Sequence, residues 1–584
     1  MSKSSVKTNY PALYILVTVF FFWGFFAAGN SIFIPFCKAF FHLDQFQSQL
    51  IDFSFYTAYY FGALILFLVS SYKRKDLIGN WGFKRSIVYG LLFSAIGAAA
   101  MIWAVQVSVY VALLVGLFVV ALGFSLQQIA ANPLAISLGD PKTGTSRVSL
   151  GGGINSLGTT VGPLLMAYAL FGSTEALTDD QIQHLSLDTM TFLYAAVGGL
   201  FLLAAAMFYF SKKIPAGVST EEIEPASKSI KLLLIMTGLL MALFIPVFGT
   251  YSSQASKDIE QLESERILLA QRLENGDLPQ VALLEGDPLQ RIDQAIEVLK
   301  VPLENKRILL LCGALVVIAG SIAFAYVSSR KNKEGWGAMQ YPQLLLGMFA
   351  IFAYVGVEVG IGSNLGELLK LDEFGSLQSS EIAPYISMYW GSLMIGRWAG
   401  AVSVFNLSKT KRVLALVVVP LLAYVVVLFA NVLAGNDIQH LYYYIICVVI
   451  QILFSFWSKN KSARTMVLFS TFGLVAMVIG LMTTGMTAVY AFLAGGLACS
   501  VLWPAIFNIA IIGLGKYTAQ GSSFLIMMIL GGGIIPPIQG KVADIIGIHQ
   551  SYIVSLLCFV YLLLFGIIAK KVLKEQDIII DNVE

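Results

Sequence analysis

Charge is scarce in this sequence. Lys, Arg, Asp and Glu together make up 12% of the 584 residues, about half the share of an ordinary soluble domain. A net charge of only +3 gives no electrostatic footprint for nucleic acid. Cysteine is also rare. Cys37, Cys312, Cys447, Cys499 and Cys558 lie far apart, with no CxxC or other metal-ligand spacing. That excludes a zinc site or a disulfide framework and leaves them as small packed side chains. There are four histidines, His42, His184, His440 and His549, and each falls between apolar runs. No Ser-His-Asp set, HExxH or acidic metal cluster lies within an apolar run, so the chain does not read as an enzyme. It carries no cofactor motif.

What is abundant is apolar surface. Hydrophobic residues make up 57% of the chain, and mean hydropathy is +0.79. Runs of about 20 apolar residues are helical spans, not the short alternating strands of a barrel. The fold class is therefore an all-α polytopic membrane protein. Sixteen spans are predicted, near 12–34, 50–70, 86–106, 109–131, 150–171, 190–210, 231–250, 308–327, 344–366, 384–405, 412–434, 441–457, 464–484, 487–512, 521–540 and 551–569. The first follows Lys3 and Lys7 but is too long for a signal-peptide core. The even-numbered loops and both tails hold 26 of the 37 basic residues. By the positive-inside rule this predicts both termini in the cytoplasm, in a multi-pass protein of the cytoplasmic (inner) membrane. Membrane lipid is its implied environment.

Within the spans, polar residues are the informative ones. The stretch LQQIAANPLAISLGDPKTGTSRVSLGGGINSLGTTVGP, residues 126–163, places Gln127, Gln128, Asn132 and Asn155 in two neighbouring apolar segments. An amide in hydrocarbon must be paired or face a wet cavity. One such residue reads as glue between helices; four in adjacent spans favour a polar pathway. In 344–366 an acid, Glu358, is surrounded by Gly356, Gly360 and Gly362. This predicts a helix that bends or breaks around a site. Arg397 in the next span either pairs or snorkels near the inner surface, or belongs to the site. Near the C-terminus Trp503, Asn508, Gly531–Gly533, Pro536, Pro537 and Gln539 repeat the pattern of an amide- or aromatic-bearing span followed by a glycine- and proline-rich one. That is the mark of internal duplication.

The loop at 251–307 differs from all the others. SQASKDIEQLESERILLAQRLENG and PLQRIDQAIEVLKV have helical periodicity and mixed charge, with a turn at Asn275–Pro279. They predict a two-helix cap outside the membrane, growing from the spans at 231–250 and 308–327. The cap carries no chemical motif and reads as structural or as a docking surface for a protein partner.

Six motifs, in order, carry a family resemblance: FFFWGFFAAGNSIFIPF, QQIAANPLAISLG, SRVSLGGGINSLGTT, YVGVEVGIGS, YWGSLMIGRWAG and WPAIFNIAIIGLGKYTAQGSS…GGGIIPPIQGKVAD. Together they resemble the fucose–proton symporter family of the major facilitator superfamily, which includes bacterial glucose/galactose transporters. The resemblance implies a major facilitator fold: two six-helix bundles, alternating access and a monosaccharide site between them. Sixteen spans then mean two extra helix pairs. The expected domains are 1–215, an N-terminal bundle; 216–343, an inserted pair with its cap; and 344–584, a C-terminal bundle with an extra pair within 412–484.

The departures from the family are specific. Proton-coupled members carry an Asp where this chain has Ser31, beside Asn30. They carry a Glu at Gln128 and often a Gln at Gly152, while Asn155 and Trp23 match. The sugar contacts implied are Trp23, Asn30, Ser31, Gln127, Gln128, Asn132, Asn155, Trp390, Trp503, Asn508 and Gln539, which combine amides, a hydroxyl and aromatic faces. Ser and Gln do not titrate near neutral pH. The remaining carboxyls able to couple transport to H+ or Na+ are Glu358 and Asp52, the latter also readable as a solvated helix-start acid. The expected function is transport of a hexose or deoxyhexose, coupled to protons, to sodium or to neither. The alternative is a transporter-like sensor or scaffold that binds sugar without moving it.

Overall fold

A computed structural model describes residues 7–40, 45–107, 109–171, 187–218, 224–251, 253–274, 288–377, 379–459 and 461–578. The chain divides into two compact units, Met1–Ile230 with Phe324–Glu584, and Lys231–Ala323. Long helices dominate both.

The first unit contains α1 (Tyr10–Phe40), α2 (Gln45–Lys73), α3 (Phe83–Gln106), α4 (Tyr110–Ser137), α5 (Gly144–Phe171) and α6 (Leu187–Phe210). The helices that follow are α7 (Ser227–Tyr251), α8 (Gln254–Glu274) and α9 (Pro288–Lys331). Next come α10 (Pro342–Leu369), α11 (Ser379–Ala401), α12 (Lys409–Leu433), α13 (Ile445–Ser458) and α14 (Ser462–Met482). The chain closes with α15 (Gly485–Cys499), α16 (Leu502–Ile511), α17 (Thr518–Met527), α18 (Gly531–Ile546) and α19 (Ile553–Glu575). Among the described residues thirteen helical segments are long and apolar enough to cross a membrane, and Tyr10–Phe26 is a shorter apolar one. With α5 and α11 a helix stands at each of the sixteen predicted spans.

Side-chain chemistry gathers the basic loops at one end of the first unit. The Asn9 main-chain N–H donates to Leu138 O (2.8 Å) and its side chain to Lys213 O (3.3 Å). The Tyr10 hydroxyl donates to Val404 O (2.9 Å). Arg147 is fully buried, and its guanidinium donates to the carbonyls of Ala135, Ile136 and Asp140. A cation thus satisfies the unpaired carbonyls at the C-terminal end of α4.

The two halves of the unit repeat one packing scheme. α3 packs along α4 and α6, and α14 packs along α15 and α19. α12 packs chiefly on α11, with α13 beside it.

Of the two glycine patterns only the Gly531–Gly533 run adjoins a break. The helix around Glu358 runs uninterrupted from Pro342 to Leu369. Its glycines serve close packing instead: a Cβ on Gly356 would lie 2.5 Å from Ile535, and one on Gly360 would lie 2.7 Å from the Gln539 carbonyl. The predicted span at 487–512 is the interrupted one, split between α15 and α16 at Ser500–Val501. That at 521–540 is split between α17 and α18 by a 3-10 turn at Met528–Leu530.

The second unit holds most of α7, all of α8 and most of α9. Arg307 is its joint. The guanidinium pairs with Glu304 (2.6 Å), donates to Thr250 (2.8 Å) and Ser256 (3.2 Å), and lies 3.6 Å above the centre of the Tyr251 ring. The cap differs from its expectation in one respect. Its second helix is not separate, because α9 is a single helix of 44 residues, about 66 Å long at the standard rise. The turn predicted at Asn275–Pro279 lies outside the described residues.

Candidate functional site

The N-terminal helices meet through backbone contact. A Cβ on Gly24 would lie 1.9 Å from the Asn155 carbonyl oxygen, and one on Gly158 would lie 2.5 Å from Phe21 O. Only glycine permits this approach of α1 to α5. It brings the Asn155 amide to Phe20 O at 3.1 Å. One turn further along α1, the Trp23 indole N–H donates to the Gln127 carbonyl oxygen (2.8 Å), and the Gln127 amide donates to the Ser94 hydroxyl (3.0 Å). Gln127 is fully buried and bridges α1, α3 and α4. Gln128 behaves differently. It stays partly accessible and donates to the Tyr59 hydroxyl at 3.1 Å. Asn132 returns its amide to Gln128 O (3.0 Å), and its carbonyl oxygen is buried without a partner.

The C-terminal half contributes the charged centre. Glu358 and Tyr354 lie four residues apart on α10, hence on one face. Arg397 of α11 reaches both: its Nη2 donates to Glu358 Oε1 at 2.9 Å and to the Tyr354 hydroxyl at 3.1 Å. The pair is largely buried, with 11% and 14% of the arginine and glutamate side chains exposed. The other arm of the guanidinium crosses to the N-terminal helices. Nη1 donates to the Ser156 hydroxyl at 2.8 Å and to Gly152 O at 3.5 Å. The next residue, Trp398, donates its indole N–H to Gly153 O at 3.1 Å. Gly152 makes room for this arrangement, because a Cβ there would sit 3.2 Å from Arg397 Cδ. The Tyr389 hydroxyl donates to the main-chain oxygen of Glu358 (2.6 Å), and the Trp503 ring lies against Tyr354 with centroids 5.9 Å apart.

Gln128, Glu358, Trp390 and Arg397 keep partial accessibility although each stands well inside its helix, as does Trp503 beside the break between α15 and α16. In a membrane bundle that combination marks side chains bordering an internal space. The other sequence candidates sit elsewhere. Asn508 donates to Ser462 (3.0 Å) near the basic-loop end. Gln539 is buried against Ser555 of α19, its carbonyl accepting at 3.1 Å. The side chains of Asn30, Ser31 and Asp52 lie outside the described residues. Sequence reasoning missed Tyr354, Tyr59 and Ser156. Only for Tyr354 was a signal present, its four-residue spacing from Glu358. Among the described residues no group of three or more His, Cys, Asp or Glu is placed to hold a metal ion.

Two helical halves that repeat one packing scheme, with polar and aromatic side chains between them, define a multi-pass membrane protein of the major facilitator fold. The resemblance to the fucose–proton symporter family runs the length of the chain. A "Glucose/galactose transporter" of Brucella abortus (strain 9-941) is 28% identical, with 98% of this chain and 97% of the relative covered. The "L-fucose-proton symporter" of Escherichia coli (strain K12) is 23% identical over 94% of this chain and 91% of its own. A crystal structure of the major facilitator superfamily transporter FucP in the outward conformation superposes with a TM-score of 0.58 at 18% identity. It covers 95% of this chain and 98% of that one, which establishes the common fold. No family model matches the sequence.

Proposed function

We propose that this protein carries a monosaccharide, a hexose or deoxyhexose, across the cytoplasmic (inner) membrane by alternating access. In this reading both termini and the basic-loop end face the cytoplasm. One observation carries it: partly accessible amide and aromatic side chains, Gln128, Trp390 and Trp503, occur in both helical halves, which Arg397 of α11 links through Ser156 of α5. Sugars are recognised by this pairing of hydrogen-bonding groups with an aromatic face. The names of the relatives, glucose/galactose transporter and L-fucose-proton symporter, support the same substrate class. Asn155 and Trp23 hold the wall of the site. Asn30, Ser31 and Asn132 complete the sugar-binding set, whereas Gln127, Asn508 and Gln539, engaged with Trp23 and Ser94, with Ser462 and with Ser555, brace the helices outside it.

The architecture is read as 1–215 and 344–584 forming the two bundles, with 216–343 inserted. In the second bundle α14 is the core helix, since its packing on α15 and α19 repeats that of α3 on α4 and α6. The pair α12 and α13 is then the addition, and the cap is accessory.

The test is uptake of a panel of radiolabelled hexoses and deoxyhexoses into proteoliposomes, with pH and sodium gradients imposed separately. Accumulation under one gradient supports a symporter of that ion, and equilibration alone supports a facilitator. Binding without any flux would overturn the transport reading.

A further inference from the structure

Arg397 has a role that sugar recognition does not account for. It is the one residue among those described whose side chain is hydrogen-bonded at once to a carboxylate of α10 and to a side chain and the backbone of α5. Nη2 holds Glu358 and Tyr354; Nη1 holds Ser156 and Gly152 O. Gly152 is the cradle, because any side chain there would press on the arginine stem.

We propose that Arg397 ties the two bundles together and that a proton on Glu358 unties them. The proposal rests on the transport reading above and names its ion. A buried guanidinium is stable here because a carboxylate lies against it. When hydronium gives a proton to Glu358, an O–H bond breaks there and one forms on the carboxyl, and the arginine loses the one counter-charge at hydrogen-bond distance among the described residues. Its remaining partners, Tyr354, Ser156 and the Gly152 carbonyl, are neutral. The cation then moves towards the accessible space between the bundles, and the bond to Ser156 is lost. Return of the proton to water on the other side restores the pair and the tie. The other titratable groups facing Glu358 are Tyr389 of α11 and Cys499 of α15, with Tyr354 on its own helix.

A reporter lies nearer the basic-loop end. The hydroxyls of Thr145 on α5 and Ser462 on α14 are 2.7 Å apart. Cysteines replacing both, by Thr145→Cys and Ser462→Cys, report whether the bundles are closed there. In full-length protein in proteoliposomes, with copper–phenanthroline as the oxidant and the yield divided at each pH by the thiol reactivity of the Thr145→Cys single variant, since fewer thiols ionise at low pH, disulfide yield is expected to fall by roughly tenfold as pH drops from about 8 to about 5. With Glu358→Gln added, yield stays low at every pH. With Ser156→Ala added, which keeps the ion pair but removes the tie, yield is lowered at high pH as well.

Radiolabelled D-galactose and L-fucose uptake is measured alongside. In Glu358→Gln, accumulation driven by a pH gradient falls to equilibrium level. Undiminished accumulation together with unchanged pH-dependence of cross-linking in that variant would overturn the tie while leaving sugar transport standing. Cross-linking that responds to pH through Glu358 in a protein that moves no sugar would sustain the tie and remove the transport reading. If Glu358→Gln does not fold, the Ser156→Ala yield decides: a value equal to that of the unsubstituted parent overturns the proposal.

Discussion

The Trp23 indole N–H donates to the carbonyl oxygen of Gln127 at 2.8 Å, so an aromatic ring and an amide from different helices satisfy each other in the interior. Trp23→Phe keeps a ring tilted against Phe20 but leaves that oxygen buried and unpaired. The expected cost is about 1–3 kcal/mol, read as a lower melting temperature in detergent. Unchanged melting would mean that Gln127 finds another donor.

Gly24→Ala places a methyl group 1.9 Å from the Asn155 carbonyl oxygen, where only backbone movement can relieve the clash. Overpacking of this kind costs about 1–3 kcal/mol. Folded yield and melting temperature should both drop, and the alanine variant should lose more than a Ser156→Ala variant does.

Gln128→Ala and Asn155→Ala should each lower sugar uptake by about tenfold in kcat/KM, the equivalent of one lost hydrogen bond to the substrate. Folded protein should persist in both. Full uptake in the two variants would remove the central site from consideration.

Replacing residues 253–306 by a short linker should leave uptake intact if the cap is accessory. The exposed Arg266–Asp293 pair is expected to contribute less than about 1 kcal/mol to the cap. The buried Arg307 cluster should matter more. Arg307→Ala ought to raise proteolysis of the 253–306 segment without changing sugar uptake.

Asp76, in the loop between α2 and α3, accepts from the Ile78 N–H (3.1 Å), and burial pushes its carboxyl up to about 6. The folded value lies above the ordinary one. Its stabilising contribution is therefore complete below about pH 4, is lost as pH rises through about 6, and stays lost at neutral pH. Hydrogen exchange over residues 74–82 should accelerate across that window, and Asp76→Asn should flatten the response. An unaltered profile in the variant would assign the pH-dependence to another group.

The position of the helices was legible because hydrocarbon dictates run length, and the basic residues punctuate the runs. The site was only partly so. Glu358 stood out as an acid among glycines, yet nothing in the sequence gives the rotation of one helix against another. The meeting of Arg397 with Tyr354, Glu358 and Ser156 follows from that rotation and from the empty space at Gly152. Glycines were misleading in the opposite direction. Those around Glu358 accept Ile535 and Gln539 from α18 without breaking the helix. The break at Ser500–Val501 falls four residues before Pro504, which has no N–H for the Ser500 carbonyl and whose ring crowds it, and Ser500 is fitted against Gly396 of α11. The continuity of α9 was likewise hidden, since it runs through Pro302 and joins the charged segment before that residue to the apolar span after it.

The contact between Arg397 and Glu358 also has an electrical meaning. As an ion pair it is a small dipole with no net charge, so a voltage across the membrane exerts no net force on it. With a proton on Glu358, one positive charge remains. Moving that charge through 100 mV is worth about 2.3 kcal/mol, enough to bias a population of carriers by more than tenfold. Under the proposed proton tie, a cell that discharged its membrane voltage while keeping its pH gradient would starve the protein of part of its drive, and the current carried per sugar would count the protons directly.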